Sequence, residues 1–288
     1  MIAWIRATFL IFTQAFGSLL LSKKTLFFGA MNLGYGVLIA LLFFFAGDRA
    51  RQDSLFAFPS LFVFVQILVP LTAVYYSISA VREEIAEKTL TFLLTAPIRR
   101  SSIWIGKWAA ATAVSTLVIG LGYLCAVSSA LFLPVAAREG RALHGSTSMA
   151  FAWAVVAGPV AYAAMGTFLA VRFRRAMLAG AIFVFSWEGF AGSTPANSGV
   201  RDLTVVDSVR TLILRDADSA RRFRREMVSW ASAGEFRPWR GDSLEEALEE
   251  FIPSKEEAWK TLAWFTGICL LLALLSGAGR DYETAPKE

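Results

Sequence analysis

The residues from Val81 to Lys107, VREEIAEKTLTFLLTAPIRRSSIWIGK, separate two long apolar stretches of the chain. The first half of this sequence has the pattern of an amphipathic helix, with one polar and one apolar side. The polar side carries Glu83, Glu84, Glu87 and Thr91, and the apolar side carries Leu90, Leu93 and Leu94. Pro97 ends that helix, because proline lacks a backbone donor and disfavours helical geometry in the residue before it. The pattern therefore predicts a short helix held between two apolar segments.

The sequence on both sides of this helix is that of an integral membrane protein. Of the 288 residues, 56% are hydrophobic and 18% are charged, and the charges fall between long uncharged runs. A soluble domain of this length could not bury so much apolar surface. A membrane-spanning helix needs about 20 apolar residues. Five runs meet that length: Thr25–Ala46, Ser54–Val81, Trp108–Ala137, Gly145–Val171 and Thr261–Gly279.

A sixth apolar run, Ala176–Gly192, is shorter and contains Glu188. We expect it to span the membrane. Without this span the two termini would lie on opposite sides, and the connections would no longer follow the charge rule for lysine and arginine. The predicted fold is therefore all-α, with six transmembrane helices. Five of them lie within residues 25–192, which include the connecting segment 82–107, and the sixth lies within 259–280.

Lysine and arginine concentrate on one side of this arrangement, which the charge rule assigns to the cytoplasm. The connections of that side hold Arg6, Lys23, Lys24, Arg82, Lys88, Arg99, Arg100, Lys107, Arg172, Arg174, Arg175, Arg280 and Lys287. The other short connections hold only Arg49, Arg51, Arg138 and Arg141. We therefore expect both termini in the cytoplasm, with residues 281–288 as a tail. We expect Lys107, with Arg99 and Arg100, to anchor the third span at the lipid headgroups.

Residues 1–24 are predicted to form a helix that lies in the cytoplasmic interface of the membrane. Their apolar residues recur at helical spacing, and Arg6, Thr13 and Gln14 form a narrow polar stripe that can face water. A signal peptide would need a small-residue cleavage site, which does not follow here. A seventh span remains the alternative.

The long connection 193–258 is predicted to be a folded, helical extracytoplasmic loop. Leu203, Val206 and Val209, followed by Leu212 or Ile213, keep helical spacing. Two capping-box patterns, Ser243 with Glu246 and Ser254 with Glu257, mark further helix starts. The second of these patterns begins the last span.

Two polar residues within the predicted spans are candidates for a transport path, Glu188 and Gln66. An ionisable group inside a span is costly and usually faces protein or water. The alternative for Glu188 is a structural or interfacial role, since it lies near the outer end of its span. Gln66 with Pro70, and Pro159 in the fourth span, mark either a bend or a packed helix interface.

The chain contains no pattern for nucleotide binding, catalysis or metal binding. A phosphate-binding loop reads Gly-x-x-x-x-Gly-Lys-Ser/Thr, whereas Ser101 holds the first glycine position before Gly106-Lys107 and Trp108 follows. The spans contain one Glu and no Asp, so the paired polar groups of an intramembrane enzyme are missing. His144 has no partner at metal-ligand spacing. The basic residues lie at membrane boundaries, so we expect no nucleic-acid partner.

By periodicity alone, the helix that ends before Pro97 is either an ordinary interfacial loop or an element that receives mechanical work. The segment 82–107 resembles the cytoplasmic coupling segment of type-2 ATP-binding-cassette (ABC) permeases. In that family, acidic residues precede a Gly-Thr-Leu-Glu-like step, a leucine pair, a proline, a basic residue and a Gly-Lys pair. The matching residues are Glu83, Glu84, Thr89, Leu90, Leu93, Leu94, Pro97, Arg99 or Arg100, Gly106 and Lys107. The sequence departs from the pattern at Lys88, where glycine is usual, and at Thr91, where an acid is usual.

This resemblance implies the permease subunit of an ABC exporter, in the cytoplasmic (inner) membrane of a bacterium. A separate ATPase subunit would bind ATP and Mg²⁺ and would receive the helix Glu83–Leu94, including Glu87, in a surface cleft. Two permease copies, identical or related, would form the substrate pathway between them, and this chain would hold no cofactor itself. The alternative is an ABC-derived mechanotransmitter or scaffold that acts on an extracytoplasmic protein through the loop 193–258.

Overall fold

A computed structural model describes residues 2–46, 52–87, 98–132, 145–189, 204–216 and 253–278. These ranges are helical almost throughout and contain no strand, which confirms the predicted all-α fold for this part of the chain. The helices are α1 (Ile2–Leu20), α2 (Lys23–Ala46), α3 (Gln52–Pro59), α4 (Val69–Ala86), α5 (Arg100–Phe132), α6 (Gly145–Arg172), α7 (Ala176–Ile182), α8 (Val205–Asp216) and α9 (Lys255–Ala278). Two π-helical segments complete them, Ser60–Leu68 between α3 and α4 and Phe183–Glu188 after α7.

Five helical stretches are long and apolar enough to cross a membrane. They are Lys23–Phe45, Phe56–Ala86, Arg100–Leu131, Ser148–Arg172 and Lys255–Gly277. Each corresponds to one of the five runs recognised in the sequence, and all five extend further into charged residues. Glu83 and Glu84 belong to the last turns of α4, and Gly106 and Lys107 lie within α5. The helices continue there because nothing in the sequence interrupts them between Val81 and Ala86 or after Arg100.

The predicted sixth span is not confirmed as a full-length helix. The apolar helix Ala176–Glu188 is shorter than the other five, and residues 190–192 lie outside the described ranges. Thirteen helical residues rise about 20 Å, whereas the hydrocarbon core of a bilayer is about 30 Å thick. This helix therefore reaches only part of the way through such a core.

The helix α1 packs along α5 with one face and leaves the other exposed. Ile11, Ala15 and Leu19 are buried, whereas Phe9 and Leu10 are exposed. The residues predicted as a polar stripe, Arg6, Thr13 and Gln14, are also exposed. The helix is apolar but shorter than the five candidate spans, and its place in the membrane interface stays a prediction.

The helix α6 is the most deeply buried of the candidate spans and forms the centre of the bundle. It packs against α4, α5, α8 and α9. Glycines allow its closest approaches to α4: a Cβ atom added to Gly158 would lie 2.5 Å from Val69, and one added to Gly166 would meet Val74 and Ser77. Small residues at such contacts let helix backbones approach each other.

The π-helical segment Ser60–Leu68 has a local cause in the sequence. Pro70 has no backbone N–H, so it cannot continue the regular hydrogen-bond pattern. The N–H of Val69, immediately before it, bonds to the carbonyl of Phe64, five residues back, as in a π-helix. Gln66 and Pro70 were expected to mark a bend or a packed interface, and they border this change of helix type.

The predicted helix in the loop 193–258 exists, but its environment differs from a surface loop. Every residue from Thr204 to Leu214 is buried, and α8 packs against α6 and α9. The apolar residues at helical spacing, such as Val206, Val209 and Ile213, therefore face neighbouring helices. Residues 217–252 lie outside the described ranges, and the capping box predicted at Ser243 and Glu246 falls there.

The second predicted capping box is confirmed at the start of α9. The N–H of Glu257 donates to Ser254 Oγ at 3.2 Å, and the N–H of Ser254 donates to Glu257 Oε2 at 2.9 Å. This reciprocal pair satisfies backbone donors that have no partner within the helix. The last helix consequently begins at Lys255, several residues before the apolar run recognised in the sequence.

We predict that Gly166→Ala destabilises the protein by about 1–3 kcal/mol, the usual cost of overpacking a filled interior. The added methyl group would meet Ser77 Oγ and would lie 3.0 Å from the carbonyl oxygen of Val74. The measurement is the apparent melting temperature of the protein in detergent. Gly267→Ala is the matched control, because nothing lies within 4 Å of a Cβ atom there. Equal melting temperatures for the two variants would contradict the close α4–α6 contact.

Candidate functional site

Four ionisable side chains meet where α4 ends and α5 begins; we call this group, Lys24, Glu83, Glu84 and Lys107, the Lys107 junction. Glu83 on α4 forms an ion pair with Lys24 at the start of α2, and both side chains are well exposed to solvent. Exposed ion pairs contribute little to stability because water screens them. This pair therefore orients the end of α4 more than it stabilises it.

The second ion pair of the junction is buried. Lys107 Nζ lies 2.5 Å from Glu84 Oε1 and donates a hydrogen bond to the carbonyl oxygen of Ala80 at 2.6 Å. The Lys107 side chain is 0% exposed, while Glu84 keeps some contact with solvent. A buried ammonium group is tolerated only when it is paired and hydrogen-bonded. Lys107 thus ties α5 to the last two turns of α4, and its predicted place at the lipid headgroups is wrong.

The first two turns of α5 also receive α1 and α9. Trp4 Nε1 of α1 donates to Ser101 Oγ at 3.2 Å. A Cβ atom at Gly106 would lie 2.9 Å from the carbonyl oxygen of Thr8, so only glycine lets α1 approach so closely. Gly277, near the end of α9, lies directly against the indole of Trp104. The start of α5 is therefore a point at which several helices of the bundle are held together.

The predicted coupling residues divide into three groups. Glu83, Glu84 and Lys107 face neighbouring helices of this chain, and Gly106 faces α1. Glu87 and Arg99 are exposed at the two ends of the connection. The remaining five lie outside the described residues, and their predicted contact with a partner stays a prediction: Thr89, Leu90, Leu93, Leu94 and Pro97.

The junction has a clear mechanical consequence. The connection 88–97 follows the end of α4, which carries Glu84, and precedes the start of α5, whose first two turns carry Gly106 and Lys107. Because the Glu84–Lys107 pair binds these two helices to each other, a force applied to the connection acts on both at once. Glu83 and Glu84 hold the base of the connection, and their predicted contact with a partner protein stays a prediction.

A second polar group lies within the bundle around the start of α8; we call the residues Gln66, Glu188 and Arg210 the α8 polar cluster. Glu188 is 0% exposed. Its carboxylate accepts hydrogen bonds from the N–H groups of Val205 and Val206, at 3.3 and 3.1 Å. Thr204 Oγ1 accepts the next N–H, that of Asp207, at 3.2 Å. The first turn of α8 therefore has its orphan donors satisfied by side chains, as a buried helix start requires.

Arg210 links α8 to the π-helical segment. Its Nη2 donates to Gln66 Oε1 at 2.6 Å, and the arginine is 2% exposed. Arg210 and Tyr162 of α6 also interact electrostatically with Glu188. Glu188 and Gln66, far apart in sequence, are thus brought to the same short helix.

The α8 polar cluster corrects the sequence analysis at two residues, Glu188 and Arg210. The interfacial alternative for Glu188 is wrong, because the carboxylate is fully buried and bonded to backbone. Arg210 was not recognised, because the loop that contains it was expected outside the membrane. The signal was present: Arg210 lies between Val209 and Leu212 in an apolar helical pattern, where a charge is unusual. Whether the cluster lines a transport path stays a prediction.

Comparison with known proteins identifies the family. Residues 6–196 match the family described as ABC-2 family transporter protein. The match covers about two thirds of the chain, from α1 to beyond α7, and includes the whole Lys107 junction. No curated protein matches the sequence. The resemblance noted for segment 82–107 is thereby confirmed at the level of the family.

We predict that Lys107→Met destabilises the protein by about 3 kcal/mol, since it leaves the Glu84 carboxylate without its buried counter-ion. Methionine keeps most of the apolar stem, so the loss reports the charge rather than a cavity. The measurement is the apparent melting temperature in detergent. Adding Glu84→Gln to this variant removes the unpaired charge and is expected to recover part of the loss.

Lys24→Met is the matched control for Lys107→Met. It removes a lysine from the same junction, but from an exposed pair whose loss costs about 0–1 kcal/mol. If the two lysine variants melted at the same temperature, the buried pair would not be the element that joins α4 to α5.

We predict that Glu188→Ala also lowers the melting temperature, because it leaves the N–H groups of Val205 and Val206 without acceptors. An unsatisfied buried donor costs about 1–3 kcal/mol. Glu188→Gln, which keeps one carbonyl oxygen, is expected to lie between the wild type and alanine. Glu256→Ala removes an exposed carboxylate that pairs with Lys260, and it is expected to change nothing measurable. A Glu188→Ala protein as stable as the Glu256→Ala protein would contradict the capping role.

Proposed function

The chain belongs to the ABC-2 family of transporter proteins, and we propose that it is the permease subunit of an ATP-driven exporter. In this proposal a separate ATPase subunit binds ATP and Mg²⁺, and its movement reaches this chain through the connection between α4 and α5. Permeases of this family are generally not enzymes themselves. The observation that carries the proposal is the buried Glu84–Lys107 pair at the base of that connection.

The proposal for coupling rests on how the connection is anchored. A segment that transmits force must be fixed to the elements that it moves, and residues 88–97 are bordered on both sides by helices tied together at Lys107. The exposed Glu87 and Arg99 flank the segment and are available to a partner. The apolar face of Leu90, Leu93 and Leu94 would enter the cleft of the ATPase subunit.

The proposed orientation places the Lys107 junction in the cytoplasm of a bacterial cell, with both termini on that side of the inner membrane. The concentration of lysine and arginine at this end supports it. Five long spans alone would put the termini on opposite sides. In this proposal the short helical stretch Ala176–Glu188 and the short helix α8, joined by Glu188, together supply the missing crossing.

We propose that two permease copies, identical or related, form the pathway between them. The support is the family, whose members work in this way, together with broad exposed apolar faces on α2 and α9. Such faces suit either lipid or a second copy. The cargo is not identified by the fold, since similar scaffolds handle many substrates.

The second candidate function is mechanotransmission to an extracytoplasmic protein. One observation favours it: Arg215 Nε of α8 donates to the carbonyl oxygen of Pro253 at 3.2 Å, which closes the base of the loop segment 217–252 against the bundle. A loop fixed in this way would follow movements of the helices. ATP hydrolysis stimulated by an extracytoplasmic protein, with no solute moved across proteoliposomes, would favour this function over export.

We predict that Leu90→Asp abolishes copurification of the ATPase subunit and the ATP-dependent activity of the complex, while the chain still inserts into the membrane. The physical reason is that an aspartate cannot be desolvated in an apolar cleft without a partner. Affinity purification of the tagged permease, followed by ATPase measurement, tests it. Leu90→Met, which keeps the apolar character, is the matched control.

A Leu90→Asp permease that retained a stoichiometric, permease-stimulated ATPase would refute coupling through this face. Glu84→Lys is a poor substitute for this test. It would place two lysines together at a buried site and would disturb the junction itself, whatever the partner does.

A further inference from the structure

We propose that α8 is a transmission element: the Arg210–Gln66 bond makes it follow the helix Phe56–Ala86, and Arg215 passes that movement to the base of the outer loop. The inference deepens the proposed function and rests on it for the source of the movement. It assigns positioning roles to Arg210 and Gln66 in place of a role in contacting cargo.

The first step is continuity between the junction and Gln66. The same helical stretch, Phe56–Ala86, contains Gln66 near one end and Glu84 near the other. It runs between them through α4 and the π-helical segment without an intervening loop. A displacement imposed at the Glu84–Lys107 pair therefore reaches Gln66 along one helix.

The second step is the bond from Gln66 to α8. A charge-assisted hydrogen bond of 2.6 Å, with its arginine 2% exposed, is strong because water does not compete for the donor. Separating the two side chains would leave a buried guanidinium group without this acceptor. When the π-helical segment moves, α8 therefore moves with it, because breaking the bond between Arg210 and Gln66 would cost more free energy.

The third step is the pivot at Glu188. A carboxylate side chain holds the start of α8 to the end of the π-helical segment Phe183–Glu188. A glutamate side chain has several rotatable bonds, so α8 can change its tilt while the N–H groups of Val205 and Val206 keep their acceptor. Thr204 caps the next N–H from within the same turn and moves with the helix.

The fourth step concerns the helix type at both anchors. Gln66 lies in the π-helical segment Ser60–Leu68, and Glu188 is the last residue of the π-helical segment Phe183–Glu188. A π-helical turn holds an extra residue, and such turns are frequent at functional sites. Each anchor therefore lies where the hydrogen-bond register differs from that of the adjoining α-helix.

The last step is the far end of α8. Arg215 bonds to the carbonyl oxygen of Pro253, which immediately precedes the capped start of α9 at Ser254. Residues 217–252 lie between these two residues in the chain. A tilt of α8 therefore acts, through the Arg215 bond, on Pro253 and on the start of α9 that follows it.

The test uses the full permease in complex with its ATPase subunit, reconstituted in nanodiscs. Cys125 and Cys269 are replaced by alanine, and a reporter cysteine is introduced in the outer segment as Ser229→Cys. The rate of labelling by a membrane-impermeant maleimide is measured with and without Mg-ATP. We expect ATP to change this rate severalfold in the reporter protein.

Gln66→Leu and Arg210→Met are expected to abolish the ATP-dependent change in labelling while the complex still hydrolyses ATP. Gln66→Glu replaces the hydrogen bond by an ion pair and is expected to retain the ATP-dependent change in labelling. A merely structural defect at this position would not allow that recovery. Lys260→Met removes an exposed cation from α9 and serves as the control. The double variant Gln66→Leu with Arg210→Met is expected to behave like either single variant, since each substitution removes the same interaction.

An ATP-dependent change that survives in Gln66→Leu overturns the inference and leaves the proposed function intact. The same holds if the reporter protein hydrolyses ATP but its labelling does not respond. If no ATPase subunit copurifies with the wild-type chain, the proposed function fails and the inference fails with it. Should Arg210→Met not fold, the comparison of Gln66→Leu with Gln66→Glu decides alone.

Discussion

The buried ammonium group of Lys107 constrains the end of the bundle at which α4 ends and α5 begins. An isolated charge is unstable there, so Glu84 and the carbonyl of Ala80 must remain beside it. Since Glu84 lies on the last turns of α4, that helix cannot slide along α5 without uncovering the charge. The close fit of α1 at Gly106 then adds a third helix to the same rigid unit. Such a rigid unit suits the proposed function, in which movement of a soluble ATPase subunit is transmitted to the helices.

A related constraint acts at the start of α8, where backbone N–H groups rather than a charged side chain must be satisfied away from water. Glu188 meets this need by bonding to two of them. The same carboxylate joins the start of α8 to the end of the helical stretch Ala176–Glu188. Arg210 then attaches the second of these helices to Gln66. The polar residues of the Lys107 junction and of the α8 polar cluster therefore bond to neighbouring helices of this chain.

Much of the fold was predictable, because length and hydropathy report directly on whether a segment can lie in lipid. The five long spans were found in this way, and the capping box at Ser254 was found from the spacing of Ser254 and Glu257. The site was predictable only in part. Periodicity identified Glu83 and Glu84 as the polar side of a helix, but a polar side can face water, a partner or another helix of the same chain. Their pairing with lysines more than twenty residues away left no local trace in the sequence.

The sequence by itself determined that the chain is a multi-helix membrane protein with basic residues gathered at one end and an acidic, leucine-rich connection between its second and third spans. These properties depend on residue type and spacing, which are local. Only the tertiary structure decided that Lys107 is buried, that α8 lies within the bundle, and that Gln66 and Glu188 meet the same helix. Those outcomes depend on which helices become neighbours, and a buried polar group takes its partner from whatever packing brings within bonding distance.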